Sequence, residues 1–208
     1  MGEIFGYGED ALTLWALKHH TSAILETFQD QTAPSNCIIF YRPSFGRSGG
    51  SKSAEFGEFD AILASSENVY LIESKWDNLS RFNKREITLR AEQKMRHRIF
   101  SWYLMHWDKR YSGDWECFRK EHVNDFQKYF PKRRIAPTDS LLAKNAESIL
   151  NILQKRYGKI PSEHNIKNVL LFFYDKKRSI PPANITKDFK SVEIDYSQEI
   201  MGNFITLD

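Results

Sequence analysis

The sequence predicts an α/β protein with a mixed β-sheet flanked by helices, and three features of the 208-residue chain support this fold class. Residues 59–63 and 69–72 alternate apolar and polar side chains around a polar tetrad at 65–68, which is the pattern of a β-hairpin. Residues 168–174 form a nearly continuous apolar run, typical of a central strand that is covered on both faces. Helical periodicity of apolar residues recurs in the stretches before and after the hairpin.

The elements before the hairpin are a helix, a strand and a loop. Residues 9–30 carry apolar side chains about 3.6 residues apart, which predicts an amphipathic first helix. Residues 37–41, an apolar run between two prolines, predict the first strand. Residues 42–53 are rich in Gly and Ser and predict a flexible loop.

The elements after the hairpin begin with a helical pattern from residue 81 to residue 107. Residues 108–165 predict a helical insertion within a single 1–208 domain, with helices over 114–130 and 140–157. The apolar run at 168–174 then predicts a strand parallel to the second hairpin strand, reached by the crossover helix. Residues 191–196 predict an edge strand, and 204–207 a further short strand.

The hairpin brings charged residues together at one end. A turn centred in the tetrad places Asp60 opposite Glu73 and Glu58 opposite Lys75. Because residues two apart on a strand share a face, Asp60, Glu73 and Lys75 are expected to converge on one patch. Unpaired charges at the end of apolar strands are costly to bury, and a divalent cation such as Mg²⁺ resolves the conflict through carboxylate ligands. An ordinary charge pair on a strand edge is the alternative interpretation.

The spacing of these residues, an Asp followed after twelve residues by Glu-x-Lys, resembles the motif of the PD-(D/E)XK nuclease superfamily, which has the restriction-endonuclease-like fold. The resemblance implies an αβββαβ core, with the acidic pair and the lysine on the second and third strands. Asp60 and Glu73 then correspond to metal ligands, and Lys75 to a catalytic residue that orients or deprotonates the attacking water. The sequence departs from the pattern at Phe59, where the superfamily has a variable proline.

The resemblance also implies a function. The expected activity is that of a metal-dependent DNA endonuclease similar to type II restriction enzymes, which uses Mg²⁺, with Mn²⁺ as a substitute, and acts on double-stranded DNA as a homodimer. A repair or recombination nuclease of the same fold, such as a junction resolvase or an exonuclease, is the second hypothesis. A nucleic-acid-binding module without catalysis is the third. No small-molecule cofactor is expected.

Further site residues follow from relatives within the superfamily. Some relatives carry a metal-binding glutamate in the first helix, and Glu9 matches that position, with Glu26 as the alternative and a simple helix-dipole role for Glu9 as another. Gln93 is a possible accessory residue because several relatives have a glutamine on the helix after the motif, and a solvated surface residue is the alternative. Apart from the relatives, Glu55 or Glu58 is a possible accessory acid because Glu58 shares the face of Asp60, and a structural pairing of Glu58 with Lys75 is the alternative. His97 stands where some relatives have tyrosine. As a lone histidine on a basic helix it is expected to be exposed, with assistance of proton transfer as the alternative.

Basic residues flank the motif on both sides. They provide candidate contacts to nucleic-acid phosphates, although solvated loops and helix faces explain some of them equally well. The candidates are Arg47 and Lys52 in the loop before the hairpin, and Arg81, Lys84, Arg85, Arg90 and Lys94 after it.

Composition and sequence patterns limit the expected binding partners and cellular location of the protein. The formal net charge of +3 is only mildly basic, so attraction to nucleic acid must come from local clusters. Cys37 and Cys117 have no zinc or disulfide pattern, which predicts buried free thiols in a reducing compartment. There is neither a signal-peptide pattern nor a run of about 18 apolar residues, so a cytoplasmic location with no membrane partner is expected.

Overall fold

A computed structural model of the chain describes residues 2–45, 57–77, 86–158, 162–182 and 184–207. Within these residues it is a mixed α/β structure with five α-helices. The helices are α1 (Gly8–His19), α2 (Thr21–Thr27), α3 (Ala91–His106), α4 (Trp115–Tyr129) and α5 (Leu141–Tyr157). The strands are β1 (Phe5–Gly6), β2 (Ile38–Tyr41), β3 (Ala61–Ala64), β4 (Val69–Trp76), β5 (Glu86–Ile87), β6 (Ile166–Tyr174), β7 (Asn184–Ile185), β8 (Lys190–Asp195), β9 (Ile200–Met201) and β10 (Phe204–Thr206).

The main sheet has five strands in the order β2-β3-β4-β6-β8. β3 is antiparallel to both β2 and β4, whereas β4, β6 and β8 run parallel to one another. The apolar run at 168–174 lies in β6 between two strands, and Leu170, Leu171 and Phe173 are buried there. The predictions of a mixed sheet, of a central strand parallel to β4 and of an edge strand near residue 191 are therefore confirmed.

The hairpin has the predicted register, with Ile62 opposite Leu71. Its turn is held by the Ser65 hydroxyl oxygen, which accepts hydrogen bonds from the backbone N–H groups of Glu67 and Asn68 at 3.1 and 2.9 Å. The structure corrects the strand limits, because β3 begins at Ala61 rather than at residue 59. Asp60 consequently lies just outside the strand and its side chain can bond to the neighbouring backbone.

The chain divides into two compact units, and the first contains the main sheet. It comprises Met1–Arg42, Phe59–Arg90 and His164–Asp208. Its core forms where α1 and α2 pack on one face of the sheet, and Trp15, Ile24, Ile72 and Leu171 are buried within it. The other face buries a smaller cluster that includes Leu89, Leu170 and Phe172.

The first predicted helix is two helices. Residues 9–30 were expected to form one helix, but His20 has a non-helical ψ of 20° and separates α1 from α2. The His20 ring packs against Trp15 with the centroids 4.5 Å apart, and the Thr21 hydroxyl bonds back to the Leu17 carbonyl oxygen at 2.6 Å. Glu26 is therefore on a different helix from Glu9.

The helix expected from residue 81 begins later, at Ala91. Residues 86–87 form the short strand β5, which pairs in parallel with β7. The Thr186 hydroxyl lies 3.4 Å from the Leu89 backbone nitrogen, next to this pair. Part of the predicted helix is therefore extended chain.

The second unit comprises Pro43–Glu58 and Ala91–Glu163, and it is helical with an aromatic core. Trp102, Tyr103 and Phe118 are buried between α3 and α4. Each of the two predicted helices in this region is confirmed and has an N-cap: Asp114 accepts from Cys117 N–H, and Ser140 accepts from Ala143 N–H. Gly158 ends α5 with a left-handed φ of 67°, a conformation that glycine adopts without steric cost.

A separate three-stranded sheet joins distant parts of the first unit in the order β1-β10-β9. Phe5 pairs with Thr206, and Phe204 pairs with Met201. The predicted short strand near residue 204 is therefore confirmed. No helix in the described ranges has the length and apolar character needed to cross a lipid bilayer.

The two cysteines are free thiols, as expected, but their surroundings differ from the prediction. Cys37 and Cys117 are each partly exposed, not buried. The Cys117 thiol lies 3.4 Å from a carboxylate oxygen of Glu121, one turn along the surface of α4. The apolar periodicity of α4 is carried by its aromatic residues, which leaves the thiol at the margin of the core.

Candidate active site

The two acidic residues of the motif lie at the same end of the hairpin. Ala61 pairs with Ile72, so the next step along the two chains brings Asp60 level with Glu73. Strand β3 no longer occupies the ladder at this point, and the backbone N–H of Ser74 instead donates to Oδ2 of Asp60 at 2.6 Å. The carboxylate of Asp60 therefore takes the place of a strand carbonyl group beside β4.

Asp60 is in an unfavourable environment for a charge. Burial raises its pKa, and the neighbouring Glu73 carboxylate raises it further, whereas the Ser74 N–H bond and the Lys75 ammonium oppose the shift. The balance raises the pKa of Asp60 from 3.8 to about 6. Two carboxylates that repel each other in a desolvated position indicate a site that favours a bound positive charge.

Glu73 is the more deeply enclosed member of the pair. Only 1% of the residue is exposed, and its partner across the parallel ladder is Leu170 of β6. An ionised carboxylate with so little contact with water needs compensation from hydrogen bonds or from opposite charge. Glu73 therefore does not lie on an exposed strand edge, and its role as a metal ligand stays a prediction.

Glu9 reaches the same region from the first turn of α1. Its Oε1 atom lies 3.4 Å from Nζ of Lys75, and its Oε2 atom accepts a 3.1 Å hydrogen bond from the backbone N–H of Trp76. The Lys75 ammonium also donates to the Ser74 carbonyl oxygen. Of the two alternatives, Glu9 and Glu26, the structure brings Glu9 to the motif lysine.

A pair of hydroxyl groups fixes α1 against β4. The hydroxyl oxygens of Thr13 and Ser74 lie 2.8 Å apart in a buried hydrogen bond, and the Thr13 hydroxyl also lies 2.7 Å from the Glu9 carbonyl oxygen. Ser74 is the residue whose N–H holds Asp60. One residue thus contacts both the helix that carries Glu9 and the hairpin carboxylate, and it sets their relative positions.

The acidic pair fits a hard divalent cation. Among the described residues, no three His, Cys, Asp or Glu side chains are already grouped as a complete metal site, and Glu9 is turned toward Lys75. Mg²⁺ is commonly held by only one or two carboxylates, with water and substrate oxygens completing its coordination. Asp60 and Glu73 supply such a pair, with repulsion between them that a cation relieves.

The possible accessory residues Glu58 and Gln93 belong to the second unit and stay predictions, whereas Glu55 lies outside the residues that the structure describes. Glu58 is exposed and forms an isolated antiparallel bridge with Ser44. Gln93 is 6% exposed in α3. The expectation that His97 is exposed was wrong, since His97 is 1% exposed on the buried side of the same helix.

The candidate nucleic-acid contacts are only partly within the described residues. Arg90 is exposed just before α3, and Lys94 is half-buried within it. The other predicted cations, Arg47, Lys52, Arg81, Lys84 and Arg85, lie outside the residues that the structure describes. Their role stays a prediction.

Two groups near the site make contacts that the sequence reasoning did not predict. Arg42 forms an ion pair with Asp10, and the Tyr41 hydroxyl donates to the Asp10 carbonyl oxygen at 2.8 Å, which ties the start of α1 to β2. Asp77 is buried one residue beyond β4 and accepts a 2.7 Å hydrogen bond from the Tyr196 hydroxyl. An acid directly after a buried parallel strand is a recognisable signal, because ligands often bind at that edge of a sheet.

Comparison of the chain with protein-family models, with curated proteins and with solved structures found no significant match. What the site does must therefore be inferred from its own residues.

Proposed function

We propose that the protein is a metal-dependent nuclease that hydrolyses phosphodiester bonds in DNA. The observation that carries the proposal is the mutual repulsion of Asp60 and Glu73, with the Lys75 ammonium beside them. A site maintained only for stability would gain from replacing one of two repelling, poorly hydrated carboxylates. A site that holds a cation and a phosphate needs both carboxylates.

The order of elements supports the resemblance to the PD-(D/E)XK superfamily. A helix, α1, precedes three antiparallel strands, β2 to β4, and after the helical region β6 joins β4 in parallel. The motif acids lie just before the second of these strands and within the third. This agrees with the αβββαβ arrangement that the resemblance implies, and the restriction-endonuclease-like core is proposed on that basis.

Asp60 and Glu73 are the residues that would hold a divalent cation, with Glu9 as a third ligand if its contact with Lys75 is released. Such a cation, when bound, supplies positive charge that stabilises the negative charge growing on the scissile phosphate and favours loss of a proton from the attacking water. Mg²⁺ is proposed because the available ligands are carboxylate oxygens, and Mn²⁺ accepts the same donors.

Lys75 is the proposed catalytic residue of the protein itself. Its side chain is partly exposed, with 28% of its surface accessible, so the ammonium can reach a phosphate oxygen or a water outside the sheet. Before substrate arrives, Nζ lies 3.4 Å from Oε1 of Glu9. The ammonium then binds the phosphate or orients the water by hydrogen bonding.

The proposed substrate is DNA, and the proposed assembly is a homodimer. Both come from the likeness to restriction enzymes, in which a two-fold protein matches a palindromic site. Plasmid digestion separates this case from a repair or recombination nuclease of the same fold. Discrete fragments indicate sequence recognition, whereas nicking at branches or progressive loss from ends indicates recognition of DNA structure.

Replacing Lys75 with alanine tests the proposal. Cleavage of supercoiled plasmid in Mg²⁺ or Mn²⁺ is expected to fall by about 100-fold or more in Lys75→Ala, because the group that positions water or phosphate is lost. DNA binding, measured by fluorescence anisotropy in EDTA, is expected to stay within about threefold of wild type, since most affinity comes from other phosphate contacts. Lys187→Ala, at an exposed lysine of the same unit, is the matched control.

Equal cleavage by wild type and Lys75→Ala in both metals contradicts the assignment of Lys75. Salt-dependent DNA binding by wild type without any metal-stimulated cleavage favours the third hypothesis, a nucleic-acid-binding module that does not turn over.

A further inference from the structure

A cleft of about 460 Å³ lies in the first unit, beyond the carboxyl end of β4. Trp76 and Asp77 from the end of β4, Asp175 just after β6 and Tyr196 just after β8 contribute to its lining. Three adjacent parallel strands therefore all end at this cleft. The carboxyl edge of parallel strands is a frequent place for ligands, because the chain turns away there and leaves a crevice.

The floor of the cleft is a fixed polar network. The Trp76 indole N–H donates to the Tyr196 hydroxyl at 2.8 Å, and that hydroxyl donates to Oδ1 of Asp77 at 2.7 Å. Oδ2 of Asp77 accepts from the Asp175 backbone N–H at 3.2 Å and from the Ser179 hydroxyl. Both carboxylate oxygens of Asp77 accept hydrogen bonds from within the protein, so Asp77 fixes the Tyr196 hydroxyl, to which Trp76 in turn donates.

The wall of the cleft is aromatic and open to solvent. The Tyr7 ring stands edge-on to Trp76, with the centroids 5.8 Å apart and the planes at 89°. Phe204 lies next to Tyr7, with a centroid separation of 6.0 Å. Tyr7 is 60% exposed, so much of its aromatic ring faces water. Exposed rings at a polar cleft are suited to stacking against a flat, polar-edged ring such as a nucleobase.

The rim of the cleft is basic. Lys177 and Arg178 line it from the turn after β6. Arg178 lies 3.3 Å from Asp175, whose other oxygen accepts the Lys177 backbone N–H, so this carboxylate is neutralised locally. The exposed ammonium of Lys177 makes no ion pair with any residue that the structure describes. A positive charge therefore remains at the rim for an anionic ligand.

We infer that this cleft binds one unpaired nucleotide, with its base stacked on the exposed Tyr7 ring beside Trp76 and its phosphate at Lys177. The inference rests on the proposed nuclease function and specifies its substrate as DNA that contains a single-stranded segment, at a branch or at an end. A base paired within an intact duplex is stacked on its neighbours and cannot enter the cleft. Trp76 directly follows Lys75, so the cleft lies at the same end of β4 as the motif residues, although consecutive side chains of a strand point to opposite faces.

Equilibrium binding in EDTA tests the cleft without cleavage. A labelled single-stranded dT 12-mer and a 12-base-pair duplex are titrated with wild type, Tyr7→Ala, Lys177→Ala and the double variant. Affinity for the single strand is expected to fall by about tenfold in Tyr7→Ala and by more in the double variant, because a base-stacking surface and a phosphate contact are lost. Affinity for the duplex is expected to stay unchanged.

The matched controls are Tyr129→Ala and Lys187→Ala. Tyr129 is 59% exposed, close to the value for Tyr7, but lies on α4 in the second unit, and Lys187 is an exposed lysine away from the cleft lining. Neither is expected to change binding of either probe. Thermal unfolding of each variant establishes that it is folded. If Tyr7→Ala is unstable, the single variant Lys177→Ala tests the cleft, because Lys177 lies in an exposed turn.

The possible results distinguish a failure of the cleft assignment from a failure of the nuclease proposal. Equal single-strand affinity in wild type and the double variant, or an equal loss for single strand and duplex, overturns the cleft assignment. If the protein nevertheless shows metal-dependent cleavage that requires Lys75, the nuclease proposal is supported and only the cleft assignment fails. Selective loss of single-strand binding in the cleft variants supports the cleft, even where cleavage in Mg²⁺ is absent and the nuclease proposal fails.

Discussion

Replacing Asp60 with asparagine is expected to make the protein more stable at neutral pH and inactive as a nuclease. The pKa of Asp60 is raised from 3.8 to about 6 by burial and by the Glu73 carboxylate. The folded protein therefore binds a proton at Asp60 more tightly than the unfolded chain does. The stabilisation from this proton is fully present below about pH 4 and is lost as the pH rises through about 6.

The size of the effect follows from the shift in pKa. Each unit of difference between the pKa of Asp60 in the unfolded chain and in the folded protein corresponds to about 1.4 kcal/mol. The charge of Asp60 therefore lowers the unfolding free energy by at most about 3 kcal/mol above pH 6. Solvent screening of the partly exposed side chain reduces this to about 2 kcal/mol. Asparagine has no charge, and its carbonyl oxygen can still accept the hydrogen bond from Ser74 N–H.

Urea unfolding of wild type and Asp60→Asn at pH 4, 6 and 7.5 measures the effect. The two proteins are expected to have similar stability at pH 4, with the variant more stable by about 2 kcal/mol at pH 7.5. Adding Mg²⁺ at pH 7.5 is expected to stabilise wild type and to stabilise the variant less, since cation binding requires both carboxylates. Asp188→Asn, at an exposed aspartate of the same unit, is the control and should change neither property.

A variant that is equally stable or less stable than wild type at pH 7.5 refutes the electrostatic reasoning, because the charge of Asp60 then costs the fold nothing. A stability difference that is independent of pH from 4 to 7.5 refutes it as well. A pH-independent difference assigns the change in stability to side-chain packing and not to ionisation of Asp60.

Two further substitutions test the surroundings of the site. Glu9→Gln removes a partly exposed ion pair with Lys75, so unfolding free energy should change by less than about 1 kcal/mol, while the metal-dependent cleavage rate falls by about tenfold or more. Unchanged cleavage excludes Glu9 from the reaction. Burial alone would raise the pKa of Asp30, but hydrogen bonds from Ser65, Tyr70 and Asn68 hold it well below its ordinary value. The lowered pKa of Asp30 contributes stability that is present above about pH 4 and is lost as the pH falls. In urea unfolding, Asp30→Asn should therefore cost about 2 kcal/mol at pH 7 and progressively less below pH 4. A cost that stays constant with pH contradicts this prediction.

The hairpin and its charged end could be predicted because the decisive interactions are local. The polar tetrad sets the turn, Ser65 bonds within it, and the register then follows from the alternation of side chains. Asp60 and Glu73 are brought level by that register alone. The end of β3 at Ala61, which frees Asp60 to bond with Ser74 N–H, depends on the path of the chain before the strand and has no sequence signature.

The limits of the helices could not be predicted where apolar periodicity continues through a break. Residues on both sides of His20 face the same core, so the pattern runs on without a glycine or a proline to mark the end of α1. Gln93 and His97 are polar residues on a basic helix, and their burial depends on tertiary neighbours that a single helix pattern does not show. The cleft beyond β4 combines residues from near 7, 76, 177 and 203, which only the folded chain brings together.

The pairing of β1 with β10 has a consequence for protein synthesis. Gly6 lies against Leu207, so tightly that an added Cβ atom would come within 2.9 Å of the Leu207 side chain, and Lys18 of α1 bonds to the Leu207 carbonyl oxygen at 2.9 Å. The helix that carries Glu9 is thus anchored by residues that the ribosome adds almost 200 positions later. A nascent chain cannot complete this anchor before residue 207 has emerged from the ribosome. Glu9, Asp60 and Glu73 are therefore brought together only late in translation.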